Sequence, residues 1–317
     1  MLEKIEEAYS RIENTINKTP IMTSSKLDKL VKANCFLKME SFQRTGSFKF
    51  RGAFNAISSL SPKLKTKGVI THSSGNHAQA LSLAAKMAGV NAIIVMPENA
   101  PKIKIAATKG YGAKVVFCGT KPEDREETAQ ALINKHGYTL IHPSNNLDVI
   151  HGQGTASYEL IKETGELDFI FTPCGGGGLL SGTAIATKGL CANTKVIGVE
   201  PKNADDAYKS FKDKKFYPVV NPNTIADGLR VSLGTNTFKI ILEHVNDIIT
   251  VTEEEIVNAM EFIWSRMKLV VEPSGAVSLA GVLSGKVNLE NQKVGIIISG
   301  GNVDLTDFFY FIREKII

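Results

Sequence analysis

The sequence lacks the features that mark several large classes of protein. Only four of its 317 residues are cysteine and no Cys-x-x-Cys pair occurs, so neither a disulfide framework nor a zinc site is indicated. No apolar run approaches the ~18 residues of a membrane span, and the charged N-terminus does not resemble a signal peptide. Basic residues form no long block and the net charge is only +5, so no nucleic-acid or membrane partner is expected. We expect a cytoplasmic protein with reduced thiols.

What the sequence does contain is the composition of a globular protein, with 43% hydrophobic and 22% charged residues. Short apolar segments alternate with helix-like stretches, which is typical of strand–helix–strand units in a parallel sheet. The first series of predicted strands comprises residues 68–71, 92–96, 114–118 and 138–142, with helices at 77–87, 102–109 and 122–135. The second series comprises residues 169–172, 196–200, 248–251 and 294–299, and the early strand 35–39 is assigned to it.

These series predict an α/β protein with two open parallel-sheet domains. Residues 61–146 would form a small mobile domain, inserted into a discontinuous large domain of residues 1–60 and 147–317. Ligands of open α/β sheets bind beyond the carboxyl ends of the strands. The segments that follow the predicted strands are rich in Gly, Ser, Asn and His, so the site is expected in the cleft between the two domains.

Four consecutive glycines, Gly175, Gly176, Gly177 and Gly178, stand between a predicted strand and a predicted helix. Uncovered backbone N–H groups at a helix N-terminus bind phosphate well. No Lys-Ser/Thr follows and the spacing is not Gly-x-Gly-x-x-Gly, so no nucleotide motif is present. Four glycines cost more conformational entropy than a turn requires. We interpret the run as a phosphate site, with a tight strand-to-helix turn as the alternative.

Lys49 lies between Phe48 and Phe50, close to a predicted helix start at Ser47. A partly desolvated lysine has a lowered pKa and acts as a neutral amine nucleophile, which forms Schiff bases with aldehydes. Taken alone, Lys49 has the ordinary interpretation of a solvated helix lysine. Together with a phosphate site that lacks a nucleotide motif, it indicates a phosphorylated aldehyde as cofactor.

Four motifs then match one family in order and spacing. They are Ser-Phe-Lys-Phe-Arg-Gly-Ala at 47–53, Ser-Ser-Gly-Asn-His-Ala-Gln-Ala at 73–80, the glycine run at 175–178, and Ser-Gly-Gly-Asn at 299–302. They resemble the fold-type II pyridoxal-phosphate family of serine/threonine dehydratases and serine racemases, with the tryptophan synthase β-like fold. The resemblance covers essentially the whole chain and is closest to the serine racemase branch.

The resemblance implies a role for each matching residue. Lys49 would bind pyridoxal 5'-phosphate as a Schiff base and exchange the substrate Cα proton on one face. The implied cofactor-binding residues are Lys49, Phe48, Asn76, Gly175, Gly176, Gly177, Gly178 and Ser299. The implied substrate-binding residues are Ser73, Ser74, Gly75, Asn76, His77, Arg125 and Asp227. Arg125 could equally be a surface helix residue among acidic neighbours, and the turn that begins at Glu272 would support the cofactor ring.

Two serines bear on the reaction. Ser299 matches the partner of the pyridine nitrogen, and a neutral hydroxyl there favours β-elimination and limits transamination. Ser74 stands where many dehydratases of the family have alanine and where serine racemases have serine. Racemisation needs an acid/base group on each face of the carbanion, so Lys49 and Ser74 would form that pair. The alternatives for Ser74 are a carboxylate-binding hydroxyl and a helix cap, a role open to Asn76 as well.

Glu200, the Ala204 carbonyl and Asp206 form an oxygen-rich loop after a predicted strand. Such ligands suit Mg²⁺, Mn²⁺ or Ca²⁺, although spacing alone also fits a solvated acidic loop. The resemblance matches these positions to the divalent-metal site of the racemase branch. It also implies a homodimer. ATP activates members of that branch, and these residues do not decide whether ATP activates this chain.

The expected function is a pyridoxal-phosphate-dependent serine racemase that also eliminates water from serine to give pyruvate and ammonia. The alternative is a dehydratase for threonine, serine or 3-hydroxyaspartate without significant racemisation, and Arg125 with Arg230 would favour an acidic substrate. Val231, beside Ser232, and Ser144 depart from the racemase pattern. A non-catalytic protein on the same fold is the remaining alternative, against which the intact Lys49 argues.

The last motif lies about 15 residues from the end of the sequence. We therefore expect no C-terminal regulatory domain and no feedback inhibition by isoleucine.

Overall fold

Ten strands form two separate sheets in the computed structural model, which describes residues 1–100 and 102–305. The strands are β1 (Ile21–Met22), β2 (Asn34–Met39), β3 (Val69–His72), β4 (Ala92–Pro97), β5 (Lys114–Cys118), β6 (Thr139–Leu140), β7 (Phe169–Pro173), β8 (Lys195–Pro201), β9 (Asp247–Val251) and β10 (Lys293–Ile298). The helices are α1 (Leu2–Ile12), α2 (Ser25–Val31), α3 (Lys49–Ser58), α4 (Pro62–Lys67), α5 (Asn76–Met87), α6 (Lys102–Gly110), α7 (Pro122–His136), α8 (Leu147–Thr164), α9 (Gly178–Leu190), α10 (Asp206–Asp213), α11 (Thr235–His244), α12 (Glu253–Phe262) and α13 (Pro273–Leu283).

The larger sheet has the strand order β1-β2-β10-β7-β8-β9. Its strands are parallel except β1, a two-residue edge strand that pairs antiparallel with β2 and that the sequence pattern did not reveal. The early strand β2 pairs with β10, with Asn34 opposite Lys293. The assignment of the early strand to the later series is therefore confirmed, although its partner lies at the far end of the chain.

The smaller sheet has the parallel order β5-β4-β3-β6, and its strands are those of the first predicted series. Strand β6 has two residues, whereas the sequence predicted residues 138–142. The pairing continues through the Ile141 N–H, which donates to the Ile70 carbonyl (2.9 Å). It then stops because Pro143 has no N–H to donate, and the chain turns toward α8.

The two sheets confirm the α/β class with two parallel-sheet units. The domain bounds at residues 60/61 and 146/147 stay a prediction, and residues 306–317 of the predicted large domain lie outside the described residues. In the described part of the chain, the helices include none that is both long and apolar enough to cross a membrane.

Close packing of α3 on α8 fixes the helix that begins with Lys49. A Cβ atom on Gly52 would come 2.7 Å from the Val149 carbonyl oxygen, and one on Gly152 would come 2.7 Å from the Arg51 carbonyl oxygen. Both distances are far below van der Waals contact, so this approach of the two backbones requires glycine on each helix. The position of α3 is thereby set by backbone packing rather than by the site itself.

Candidate functional site

Lys49 is held at the first turn of α3 by the end of β10. The Phe48 N–H donates to the Ser299 carbonyl (3.1 Å), and Ser47 forms an antiparallel bridge with Gly300. The lysine Nζ donates to the Pro143 carbonyl (3.0 Å) and lies 5.0 Å from the centroid of the Phe48 ring. Burial lowers the pKa of Lys49 to about 8, although Glu272 opposes the shift. The lowered pKa increases the fraction of neutral amine near neutral pH, and the neutral amine is the form that attacks an aldehyde.

The two phenylalanines that flank Lys49 have different surroundings. Phe50 is fully buried and stacks on Phe54, with the ring centroids 5.7 Å apart. Phe48 is only partly buried and is the ring that the lysine Nζ approaches. The apolar setting inferred from the sequence thus comes from one phenylalanine beside the amine and one that anchors the helix.

The glycine run makes the turn from β7 into α9, and each of its positions excludes a side chain. A Cβ on Gly176 would come 2.5 Å from Ser144 Oγ, and Cβ atoms on Gly175, Gly177 and Gly178 would come within 2.8–3.0 Å of neighbouring atoms. Only Gly177 has a left-handed φ, at +79°. A turn alone would need glycine at that one position. Gly177 is also the N-cap of α9 and has no side chain to cover the first N–H groups. The run therefore fits a phosphate cradle.

The loop at residues 73–77 connects β3 to α5. Its Gly75 occupies the N-cap position of α5, so neither Ser74 nor Asn76 is the helix cap that the sequence left open. Ser73 Oγ accepts the Gly75 N–H at 3.4 Å. A side chain at Gly75 would meet no atom of the described residues within 4 Å, so this stretch of backbone is open to a ligand. Uncapped N–H groups at a helix start favour a bound carboxylate.

His77 contributes its side chain to the interior instead of the open loop. The imidazole is 2% exposed, and its Nε2 lies 3.0 Å from the Ile141 carbonyl oxygen, which can only accept, so Nε2 carries the hydrogen of this bond. Burial, with a contribution from nearby Lys49, lowers the pKa of His77 to about 3. A neutral ring bonded in this way leaves the backbone N–H of His77 as its means of contacting a substrate.

Asn76 links the smaller sheet's first helix to the larger sheet. Its Nδ2 donates to Glu272 Oε1 (2.7 Å), and its Oδ1 accepts from Asn302 Nδ2 (2.9 Å). An amide nitrogen carries two hydrogens, so the second one remains for a ligand such as a phenolic oxygen. Burial, together with the charge of Asp227, raises the pKa of Glu272 to about 7. Sequence reasoning found the motifs that contain Glu272 and Asn302 but not their contact with Asn76.

Ser299 follows β10 and is buried. Its Oγ donates to the Ser274 carbonyl (3.3 Å), and Ser274 Oγ accepts the Gly228 N–H (3.1 Å). No charged group is thus bonded to this hydroxyl within the described residues, as expected for a neutral partner of a pyridine nitrogen.

The residues expected to select the substrate are arranged less uniformly. Asp227 Oδ2 accepts from Lys104 Nζ (2.6 Å), a partner on α6 that sequence reasoning missed. Burial lowers the pKa of His72, directly before the loop; on α7, Glu126 opposes this shift and the charge of Arg125 adds to it. The Arg230 guanidinium donates to the Thr224 carbonyl (2.8 Å). Arg230 is therefore engaged with its own turn, and the expectation that it would favour an acidic substrate has no support here.

Two positions that depart from the racemase pattern have defined contacts. Ser144 lies against Gly176 and Gly178. Ser232 Oγ accepts the Val219 N–H (2.9 Å), and Val231 beside it is half exposed. The Ser232 hydroxyl therefore stabilises a neighbouring loop.

The predicted metal ligands lie behind the glycine run. Glu200 accepts the N–H groups of Ala207 (3.0 Å) and Tyr208 (2.7 Å), while Asp206 has both carboxylate oxygens buried without a hydrogen bond of normal geometry to any described residue. Burial raises the pKa of both carboxyls, and the charge of Asp206 raises that of Glu200 further. Two buried carboxylates whose charges repel each other suit a divalent cation. The described residues contain no cluster of three or more His, Cys, Asp or Glu side chains that could hold a metal, so a carbonyl and waters would have to complete the site.

The chain is similar to known proteins over almost its whole length. The sequence pattern of the family described as "Pyridoxal-phosphate dependent enzyme" matches residues 12–300. The chain is 49% identical to an L-threo-3-hydroxyaspartate ammonia-lyase of Saccharomyces cerevisiae, over 98% of this chain and 95% of that protein. It is 50% identical to a serine racemase of Dictyostelium discoideum, over 96% of this chain and 95% of that protein.

A crystal structure of serine racemase from Dictyostelium discoideum superposes on the chain with a TM-score of 0.91, covering 96% of this chain and 99% of that one. The lysine, the glycine cradle and the neutral serine fit the cofactor that gives the family its name. The chain belongs to the pyridoxal-phosphate dependent enzyme family.

Proposed function

We propose that this enzyme is a serine racemase, which interconverts L- and D-serine and also eliminates water from serine to give pyruvate and ammonia. The observation that carries the proposal is the open start of α5. Gly75 and not Ser74 is the N-cap of this helix, which leaves the half-buried Ser74 hydroxyl available for proton transfer. The racemase relative at 50% identity supports the same activity.

In the proposed reaction each residue has a defined task. The bound cofactor supplies an electron sink that acidifies the Cα–H bond of an amino acid. Lys49, whose amine has a lowered pKa, would take or return the proton on one face, and Ser74 would do so on the other. The N–H groups of residues 175–178 would hold the phosphate. Asn76, oriented by Glu272, would donate to the phenolic oxygen, and Ser299 would face the ring nitrogen.

The substrate carboxylate would bind to the N–H groups and hydroxyls of residues 73–77. Arg125 and Asp227 would border the side-chain pocket. Residues 61–146 would move as a unit to close the site and exclude water. Two contacts join these residues to the rest of the chain and would break and re-form in that movement, namely Asn76 with Glu272 and Lys104 with Asp227.

The proposal also includes a divalent cation, Mg²⁺, Mn²⁺ or Ca²⁺, held by Glu200, the Ala204 carbonyl and Asp206. Support comes from the unbonded Asp206 carboxylate. The cation would neutralise two buried carboxylates behind the glycine run and would not touch the substrate. A homodimer and a cytoplasmic location complete the proposal.

A second candidate function is elimination from L-threo-3-hydroxyaspartate. The ammonia-lyase relative at 49% identity favours it, and Arg125 is a cation near the substrate loop that could pair with an acidic side chain. The enzyme would then remove water from the hydroxyl-bearing side chain of hydroxyaspartate, and it would racemise serine little.

One experiment separates the two candidates. The unaltered enzyme, Ser74→Ala and the matched control Ser73→Ala are each assayed with L-serine, D-serine, L-threonine and L-threo-3-hydroxyaspartate, with and without Mg²⁺. For a two-base racemase, Ser74→Ala should abolish formation of D-serine while elimination from L-serine survives. Ser73→Ala loses a hydroxyl that would bind the substrate carboxylate, so it should weaken racemisation and elimination alike and leave their ratio unchanged. An unaltered enzyme that forms no D-serine but consumes hydroxyaspartate would support the ammonia-lyase instead.

A further inference from the structure

A short segment, residues 142–146, connects the smaller sheet to α8 and touches the proposed cofactor site at several points. The Pro143 carbonyl accepts from Lys49 Nζ (3.0 Å). Ser144 lies so close to the glycine run that a Cβ on Gly176 would come 2.5 Å from its hydroxyl oxygen. Asn146 caps α8 by accepting the Val149 N–H (3.0 Å). The shape of this turn therefore sets where a carbonyl and a hydroxyl meet the lysine and the cradle.

The imidazole of His142 closes the turn. Its Nδ1 accepts two backbone N–H groups, from Ser144 (3.2 Å) and Asn145 (2.9 Å). A ring nitrogen that accepts two hydrogen bonds carries no proton, so the ring must be neutral. Burial, with contributions from His72 and Lys49, lowers the pKa of His142 to about 4 and keeps it neutral at physiological pH. The rings of His142 and His72 pack edge to face, with their centroids 5.8 Å apart.

The far end of the turn is fixed separately. Asn236 donates two hydrogen bonds to Asn145, from its backbone N–H to Oδ1 (2.8 Å) and from its Nδ2 to the carbonyl oxygen (3.0 Å). These bonds secure Asn145 to the start of α11. Between Asn145 and the ring, Pro143 has no N–H, so the Ser144 N–H is the remaining donor that shapes the middle of the turn, and His142 accepts it.

We propose that His142 is a positioning residue, whose unprotonated Nδ1 fixes the turn that holds the Ser144 hydroxyl beside the phosphate cradle and the Pro143 carbonyl beside Lys49. This inference rests on the proposed function, because the group to be held at the cradle is the cofactor phosphate. A turn already fixed before binding avoids the ordering cost that a mobile turn would incur on binding.

The chain allows a matched test of the acceptor. In His142→Asn, the amide Oδ1 is bonded to Cγ as Nδ1 is in histidine, so it can accept the same two N–H groups. In His142→Leu, a methyl group takes that place and the two N–H groups lose their partner. Both variants lose the ring contact with His72, so the difference between them isolates the acceptor.

Cofactor binding is measured by titrating each cofactor-free protein with pyridoxal 5'-phosphate and following the absorption band at about 410–420 nm. Thermal stabilisation of the same proteins by inorganic phosphate reports on the cradle without the lysine chemistry. We expect His142→Leu to raise the Kd for the cofactor about tenfold and to weaken the response to phosphate. His142→Asn should stay within about threefold of the unaltered protein.

Equal behaviour of the Asn and Leu variants would overturn the inference, whether both bind normally or both bind weakly. If His142→Leu does not fold, His142→Gln replaces it, because its acceptor lies one bond further out and should also weaken binding. The absence of the band in the unaltered protein would overturn the proposed function together with this inference. A normal band there, with no difference between the variants, would overturn this inference alone.

A double-mutant cycle with Ser144→Ala tests the route of the effect. If His142 acts by placing the Ser144 hydroxyl, Ser144→Ala should weaken phosphate binding in the unaltered protein and add little in His142→Leu. Fully additive losses would contradict that route, since they would show that the two residues act independently.

Discussion

Arg51, Glu40, Glu159 and Lys38 form one group of buried charges, and Glu200 with Asp206 forms another. In the first group the Arg51 guanidinium contacts Glu40 (2.7 Å) and Glu159 (2.9 Å), and Lys38 Nζ contacts Glu159 (2.7 Å). Two cations thus face two carboxylates. Burial alone would raise the pKa of Glu159, but Arg51 and Lys38 hold it below its usual value.

The second group contains like charges with no basic side chain bonded to them among the described residues. Glu200 is bonded to backbone N–H groups, and Asp206 has no hydrogen bond of normal geometry. Here the pKa of each carboxyl is raised. Burial of a charged side chain by itself therefore does not mark a functional site. A buried charge that is paired with an opposite charge of the protein stabilises the fold. A buried charge without such a partner indicates that a ligand supplies the opposite charge.

The largest expected effect comes from unbalancing the first group. Arg51→Leu leaves Glu40 and Glu159 buried with only Lys38 as a cation, so the free energy of unfolding should fall by about 3–5 kcal/mol. Urea unfolding of the purified enzyme measures the loss. Arg51→Lys is the matched control, because it keeps the charge and should lose less. A loss below about 1 kcal/mol in Arg51→Leu would show that the group is not a balanced network.

Glu272 is a buried carboxyl outside the proposed metal site, and like Glu200 and Asp206 it has a raised pKa. Its pKa is raised from 4.5 to about 7 in the folded protein, so its contribution to stability is fully present below pH 4.5 and is lost as the pH rises through 7. The shift corresponds to about 3 kcal/mol. In Glu272→Gln the free energy of unfolding should therefore decline by about 3 kcal/mol less between these pH values. Urea unfolding of the cofactor-free protein at several pH values measures this difference.

Glu254→Gln is the control for Glu272→Gln, since Glu254 is exposed on α12 and its loss should leave the pH profile unchanged. Identical profiles for Glu272→Gln and the unaltered protein would contradict the prediction.

A bound divalent cation should neutralise the buried carboxylates of Glu200 and Asp206. At a metal concentration one hundred times the Kd, Mg²⁺ or Mn²⁺ should stabilise the protein by about 2.7 kcal/mol, and EDTA should lower both Tm and activity. Asp206→Asn should abolish this response. Asp205→Asn is the matched control, because Asp205 pairs with Lys209 (2.8 Å) and should leave the response intact. A Tm that EDTA does not change would count against the metal site.

The smallest effect is expected for the paired but partly exposed charges of Lys104 and Asp227, whose side chains are 28% and 45% exposed. Solvent screens such pairs, so the coupling energy from a cycle of Lys104→Met and Asp227→Asn should stay below about 1 kcal/mol. Added salt should weaken it further. A coupling energy of about 3 kcal/mol or more would mean that exposed and buried ion pairs do not differ in strength.

Most of the fold could be predicted from the sequence because its signals are local. The apolar segments placed β5 at the observed residues Lys114–Cys118, and the other predicted strands lie within one residue of those observed at each end, except that β6 ends two residues earlier than predicted. The exception depended on Pro143, which has no N–H with which to continue the pairing. The edge strand β1 has two residues, too few to show a period.

The candidate site likewise has parts that the sequence predicts and parts that depend on the tertiary structure. The sequence by itself determined the glycine run, Lys49 and the serine loop, because each is a run of adjacent residues whose chemistry does not depend on a distant partner. Only the tertiary structure decided that Asn76 meets Glu272, which is 196 positions away, that Lys104 meets Asp227, and that Ser144 lies against Gly176. Such contacts depend on how the two sheets pack, and no local pattern of residues encodes that packing.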